Sequence, residues 1–236
     1  DRALSAISQV QPGEFDWPEI LDGAAWFHVT GITPAISDRA AAVTLEAVKC
    51  AKALGVKVSV DLNYRKKLWS PEKASEVMSE LMQYADMSVG NEEDAEKVFG
   101  IRATGSDVMK GELSEEGYRE VARELANRFG LERVGITLRE SLSASDNNWS
   151  GLLYDGQGFY LSRKYHVHIV DRVGGGDAFA AGLIYSTLAG KTPQDAVEFA
   201  AAASCLKHSI MGDCNMVDIP EVQLLAAGEA SGRVQR

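Results

Sequence analysis

Three consecutive glycines followed by an aspartate, Gly174-Gly175-Gly176-Asp177, are the residues in this chain best suited to chemistry. An alternating stretch from His166 to Val170 reads as a strand that runs into them, and the apolar run from Ala178 reads as a helix that leaves them. Glycines let backbone amides approach a ligand closely, and a helix start leaves several N–H groups without intrahelical acceptors. The helix dipole adds partial positive charge at the same end, so the turn suits an anion, phosphate above all. Asp177 adds a carboxylate to the mouth of that site. Read from this turn alone, it is either a base placed beside a phosphate or a helix N-cap, a position where Asp is favoured.

Other polar groups follow predicted strands. Asp61, Asn63 and Arg65 alternate after the second strand, so in an extended segment their side chains share one side. Arg65 suits a carboxylate or phosphate, or else a salt-bridged loop. Gly90-Asn91-Glu92-Glu93-Asp94 places acidic residues at a helix start, where capping explains them and where magnesium-bound water is the functional alternative. Thr137 to Ser141 follows the fourth strand at the place expected for a nucleotide. His28, His166 and His168 read as edge or surface residues, and Cys205 with His208 as packing on one helix face.

The elements that must position these groups are legible from periodicity and caps. Strands are expected over 24–30, 56–62, 87–90 and 134–138, with three short ones between Ser150 and Ile169 separated by turns at 155–158 and 162–164. Helices are expected from Ser37 to Leu54, Pro71 to Tyr84, Glu92 to Phe99, Ser114 to Phe129, the glycine turn to Leu188, Pro193 to Lys207, and from Pro220 onward. Ile101 to Glu112 reads as a loop. This alternation describes one α/β domain over 1–236, with a mostly parallel sheet covered on both faces and an antiparallel hairpin edge. In such sheets ligands sit beyond the carboxyl ends of the strands, so the weak signals above converge on one edge.

At 236 residues the chain is long enough for a sizeable core. Its net charge of −10 disfavours nucleic acid and anionic membrane as partners, and no run of about eighteen apolar residues suggests a membrane span. Three cysteines without CxxC spacing fit reduced thiols and the cytoplasm. No GxxxxGK[ST] motif occurs, which excludes a P-loop enzyme.

Taken together, these stretches resemble the ribokinase-like (PfkB-type) carbohydrate kinases. Asp171 to Asp177 is similar to the family's D-T-x-G-A-G-D motif, Asn91 to Asp94 to its N-x-x-E motif, and Asp61 to Trp69 to its D-x-N-x-R-x-x-x-W segment. Within the family, Arg2 to Ala6, Thr137 to Ser141, the Asp-Arg-Val-Gly-Gly-Gly-Asp form and Lys207 to Asp213 most resemble the 2-keto-3-deoxygluconate kinases. The resemblance implies a three-layer α/β/α fold, ATP with Mg²⁺, a possible need for a monovalent cation such as K⁺, and a sugar acid as substrate; a homo-oligomer is compatible with it.

It further implies that Asp177 is the base, that Gly174, Gly175 and Gly176 form the anion hole, and that Arg2 and Arg65 join Asp177 in binding the substrate. Nucleotide contacts fall to Asn63, Arg65, Asn91, Thr137, Arg139, Gly174 and Gly176, and magnesium, through water, to Asp94 and Glu93. Three departures stand out: Arg172 replaces a small residue, Asp94 replaces Glu, and the family's N-terminal strands, sugar-contacting glycine pair and lid strands are absent. The expectation is therefore that this stretch alone is a poor kinase or that the natural protein is longer. Fructokinase or another ketose kinase is the alternative activity, and a non-catalytic sugar- or nucleotide-binding relative the alternative of another class.

Overall fold

Parallel pairing builds the first part of the chain in the computed structural model, which describes residues 2–102 and 115–228. Contacts divide these residues into two compact units. One holds the chain up to Ile136 together with Tyr154–Gly158; the other holds Thr137–Leu153 and the chain from Phe159.

The first unit opens with a short 3₁₀ turn at Arg2–Leu4 and three single-turn helices, α1 (Ala6–Gln9), α2 (Trp17–Ile20) and α3 (Ile32–Ala35). None was expected, because four residues are too few to show a helical period. Strands β1 (Trp26–Thr30), β2 (Lys57–Asp61), β3 (Met87–Gly90) and β4 (Arg133–Ser141) pair in that order, all parallel. Between them run α4 (Asp38–Ala53), α5 (Pro71–Met82), α6 (Glu92–Phe99) and α7 (Glu115–Phe129). Ser37 and Ser70 cap α4 and α5 as expected, accepting from the amides of Ala40 and Lys73. The expected helix start at Ser114 and the loop after Arg102 lie outside the described residues.

The core forms where helix faces meet β2. Val58 and Val60 are fully buried, as are Ala40, Ala51, Ala74, Met78 and Met82. Asp86, just before β3, ties the other end of the sheet. Its carboxylate accepts from Lys52 Nζ (2.7 Å), the Val58 amide (2.9 Å) and Lys57 Nζ (3.3 Å), while its carbonyl accepts from the amides of Glu132 and Arg133.

The second unit contains β5 (Asp146–Tyr154, its last residue in the first unit), β6 (Phe159–Leu161), β7 (Tyr165–His168), α8 (Gly175–Leu188), α9 (Pro193–Lys207) and α10 (Ile219–Ala227). Strand β7 pairs antiparallel with β5, with Asp146 opposite His168. Among the described residues the sheet has seven strands, mostly parallel with an antiparallel edge, in a three-layer α/β arrangement. Strand β5 starts four residues earlier than expected, and β4 runs four residues longer, one at its start and three at its end. The polar stretch 139–148 has low strand propensity, yet the amides of Leu142 and Ser143 donate to the Asp146 carbonyl and close a hairpin there. Helices α8 and α9 pack closely: a side chain at Gly182 would meet the Ala200 backbone at 2.7 Å.

Burial alone would push the Asp86 carboxyl up, but the hydrogen bonds from Lys52, Val58 and Lys57 outweigh it and hold it below the usual carboxylate range. A depressed folded-state value means stability that is present above the ordinary carboxylate range and lost as pH falls through the folded value. Asp86→Asn should therefore cost about 1–3 kcal/mol at neutral pH, with the gap in melting temperature from wild type closing below about pH 4. Thermal melts of both proteins across that range check this; a gap that stays constant with pH would count against the ion pairs as its source.

Candidate active site

The parallel register sets the loops after β2 and β3 beside each other. Thr30 lies opposite Asp61, Asp61 opposite Val89, and Gly90 opposite Ile136. The close approach at this edge needs Gly31: its amide donates to the Asp61 carbonyl at 2.7 Å, and a side chain there would drive into the Leu62 carbonyl.

The loop after β2 is not extended. Asn63 has φ +35°, in the left-handed region that Asn tolerates better than most residues. The expectation that Asp61, Asn63 and Arg65 share one side therefore fails. Asp61 is buried at the strand end, Asn63 Nδ2 donates to Thr30 Oγ1 at 3.0 Å, and Arg65 is exposed with its guanidinium donating to the Tyr64 carbonyl.

Asn91 and Asp94 form a reciprocal cap on α6. Asn91 Oδ1 accepts from the Asp94 amide at 2.8 Å, and Asp94 Oδ2 accepts from the Asn91 amide at 3.4 Å. Asp94 Oδ1 also accepts from the Tyr64 amide at 3.0 Å, which binds the two loops together. Burial pushes the Asp94 carboxyl up to about 6, against the pull of the Tyr64 and Asn91 amides and the Arg65 charge. The capping explanation thus accounts for both side chains.

These two loops line a cavity of about 870 Å³ together with Arg2. Five cationic side chains border it (Arg2, Arg65, Lys66, Lys67 and Lys97) against two carboxylates, Glu93 and Asp94. In a chain of net charge −10 this is a local reversal of sign, suited to a ligand with one or more anionic groups. Arg2 and Arg65 were expected here; the three lysines were not singled out, although Lys66 and Lys67 directly follow Arg65.

In the second unit, Thr137 and Arg139 alternate along β4 and so share a face. The glycine turn has the expected form, with a shift in register. Gly174, at φ +81°, is the residue that caps α8, and Asp177 lies in the helix's first turn with an exposed side chain. Asp177 is therefore not the N-cap. The first amide to close an intrahelical bond to Gly174 is that of Ala178, at 2.9 Å, so the amides of Gly176 and Asp177 precede the helical ladder.

The end of α9 supports this turn. Ser204 Oγ donates to the Gly175 carbonyl at 2.7 Å, and the buried His208 ring shares a 2.7 Å hydrogen bond with the Ser204 carbonyl through Nδ1. That ring also packs on Trp149, with centroids 4.6 Å apart. Burial pushes the His208 imidazole down, and the positive charges of Lys207, Arg172 and Arg139 add to this. A Cβ on Gly175 would fall 2.6 Å from the His208 ring, and one on Gly174 would collide with the Asp213 carbonyl; one on Gly176 would meet nothing within 4 Å. His208 is thus packed between Trp149 and the glycine turn. The support that Ser204 and His208 give this turn was not expected from the sequence.

A family model described as pfkB family carbohydrate kinase matches residues 7–220. This chain belongs to that family. The pfkB chain is 47% identical to a 2-dehydro-3-deoxygluconokinase of Thermotoga maritima of known structure, with a TM-score of 0.89 over 95% of this chain and 66% of that one. It is 30% identical to the 2-dehydro-3-deoxygalactonokinase of Haloferax volcanii, over 98% of this chain and 66% of the relative. It is also 28% identical to the 2-dehydro-3-deoxygluconokinase of Bacillus subtilis, over 96% of this chain and 62% of the relative. The chain thus spans about two thirds of the length of these relatives.

The three glycines should separate experimentally. Gly174→Ala and Gly175→Ala should each lower the melting temperature by several degrees, since each added methyl meets the Asp213 carbonyl or the His208 ring. Gly176→Ala should melt within about 1 °C of wild type, an ordinary surface substitution by this criterion. Equal destabilisation by all three would contradict the packing described.

Proposed function

We propose that this protein phosphorylates 2-keto-3-deoxygluconate (2-dehydro-3-deoxygluconate) on its primary hydroxyl. ATP is the phosphoryl donor, and the products are 2-keto-3-deoxy-6-phosphogluconate and ADP. The observation that carries this reading is the cavity bordered by Arg2 and Arg65, because an acid substrate gives a cationic pocket a use that a neutral hexose would not. The relatives named for 2-dehydro-3-deoxygluconate support it.

On this reading Asp177 takes the proton of the attacking hydroxyl as the new P–O bond forms, since a primary alcohol is too weak an acid to ionise unaided at neutral pH. The amides at the glycine turn stabilise charge on the transferring phosphoryl group, and the bond to ADP breaks in line. Arg2 and Arg65 hold the substrate's carboxylate or the nucleotide's phosphates, and Asn63, Asn91, Thr137 and Arg139 contact the nucleotide. Magnesium arrives with ATP as part of the substrate. Both oxygens of Asp94 are engaged by backbone amides, so Asp94 and Glu93 fit magnesium only through its bound waters. The reading takes the two units as parts of one ribokinase-like domain acting in the cytoplasm; among the described residues no helix is long and apolar enough to cross a membrane.

A second reading, the epimeric 2-dehydro-3-deoxygalactonate, is favoured by the Haloferax relative.

Asp177→Asn in the full-length protein should lower kcat about 100-fold or more while leaving the melting temperature unchanged; retention of more than about a tenth of the wild-type rate would remove Asp177 as the base. Arg65→Ala should raise KM for the sugar acid about 10- to 100-fold more than KM for fructose. Steady-state assays on both substrates decide this, and equal losses would count against a carboxylate contact.

A further inference from the structure

Lys207 is a charged side chain that the reading above does not use. It ends α9 fully buried, and its Nζ donates to the Ile210 carbonyl at 2.9 Å. Its Cε lies 3.2 Å from where a Cβ on Gly174 would stand, directly under the glycine turn, and the Asp213 carbonyl presses on the same point. Asp171, the acidic residue that opens the turn, accepts from the amides of Val173 (3.0 Å) and Gly212 (2.8 Å). Those two bonds, and after them the Lys207 charge, hold the Asp171 carboxyl below its usual range.

The underside of the turn is therefore an oxygen-rich place, with two carbonyls and a carboxylate within the field of one ammonium. Such surroundings would otherwise suit a hard monovalent cation. Burying an ammonium is costly unless oxygen partners offset it, and a hydrophobic residue of the same length would usually serve packing as well.

We propose that the Lys207 ammonium is a built-in monovalent cation for the glycine turn, so that phosphoryl transfer at this turn needs no added K⁺. Its positive charge lies beneath amides that receive the transferring phosphoryl, and it holds the Ile210 carbonyl in place while raising the potential at the anion site. The inference rests on the kinase reading for its effect on rate. Its claim about ion binding stands apart from that reading and is measured separately. Lys207 acts here as a positioning residue that touches no substrate.

The test compares the full-length wild-type protein with Lys207→Met in KCl, in NH₄Cl and in choline chloride at equal ionic strength, about 100 mM. Two readouts are taken: kcat/KM with 2-keto-3-deoxygluconate, and the thermal melt without substrate. Wild type should give rates within about twofold and melts within about 1 °C in all three salts. Lys207→Met should lose about 100-fold in choline, regain at least a tenth of the wild-type rate in K⁺ or NH₄⁺, and melt about 2 °C or more higher in those salts than in choline.

A wild type that requires K⁺ or is stabilised by it overturns the proposal. So does a Lys207→Met protein that is as active as wild type in choline, or one that melts cooperatively but is rescued by neither cation. Should neither protein phosphorylate the sugar acid, the salt dependence of the two melts still decides the ion claim. Should Lys207→Met not fold, the wild-type melts decide it, together with Lys207→Arg, which keeps the charge and is expected to remain insensitive to the salt.

Discussion

Parallel strand pairing is the constraint from which the first unit follows. In a parallel ladder every strand ends on the same side, and the register here aligns Thr30 with Asp61 and Gly90 with Ile136. Residues that are far apart in sequence, such as Asn63 and Asn91, enter neighbouring loops for that reason alone. The same ladder forces β1 and β2 so close at their ends that position 31 accepts no side chain. At the opposite end Asp86 joins the starts of β2, β3 and β4 through its carboxylate and its carbonyl. One edge is thus held by ion pairs and hydrogen bonds to the buried Asp86, and the other is left to loops that carry polar groups.

The two units offer positive potential by different means. The first gathers five cationic side chains around a cavity, where they act at the range of individual ion pairs and are screened by salt. The second relies on backbone amides at the start of α8, which are fixed in direction by the glycine turn and by the end of α9 beneath it. Side chains can follow a flexible ligand. A backbone turn cannot; its donors stay where the fold sets them.

Much of this was legible in the sequence because the signals are local. Ser37, Ser70 and Asn91 cap helices where a short polar residue at a helix start suggested it, and Gly55, Gly100, Gly130 and Gly190 all take positive φ. The failures came where tertiary contacts overrule local pattern. Asn63 breaks an alternation that reads as extended, because its side chain bonds Thr30 on a neighbouring strand. Residues 139–148 form a strand hairpin despite polar composition, through cross-strand contacts such as Asn148 with Glu140. Read from its turn alone, Asp177 was either a cap or a base; Gly174 takes the cap. The packing of His208 under Gly175 has no sequence signal at all, as it joins residues 33 apart whose spacing carries no period.

The Asp94 carboxylate has a mechanical consequence. It grips the Asn91 amide at the head of α6 and the Tyr64 amide in the loop after β2, so one buried group rivets two walls of the same cavity. Neither wall can swing outward without tearing a hydrogen bond from the other. The two walls are therefore joined at one point, and the shape of the pocket there depends on Asp94 and the two backbones it clasps.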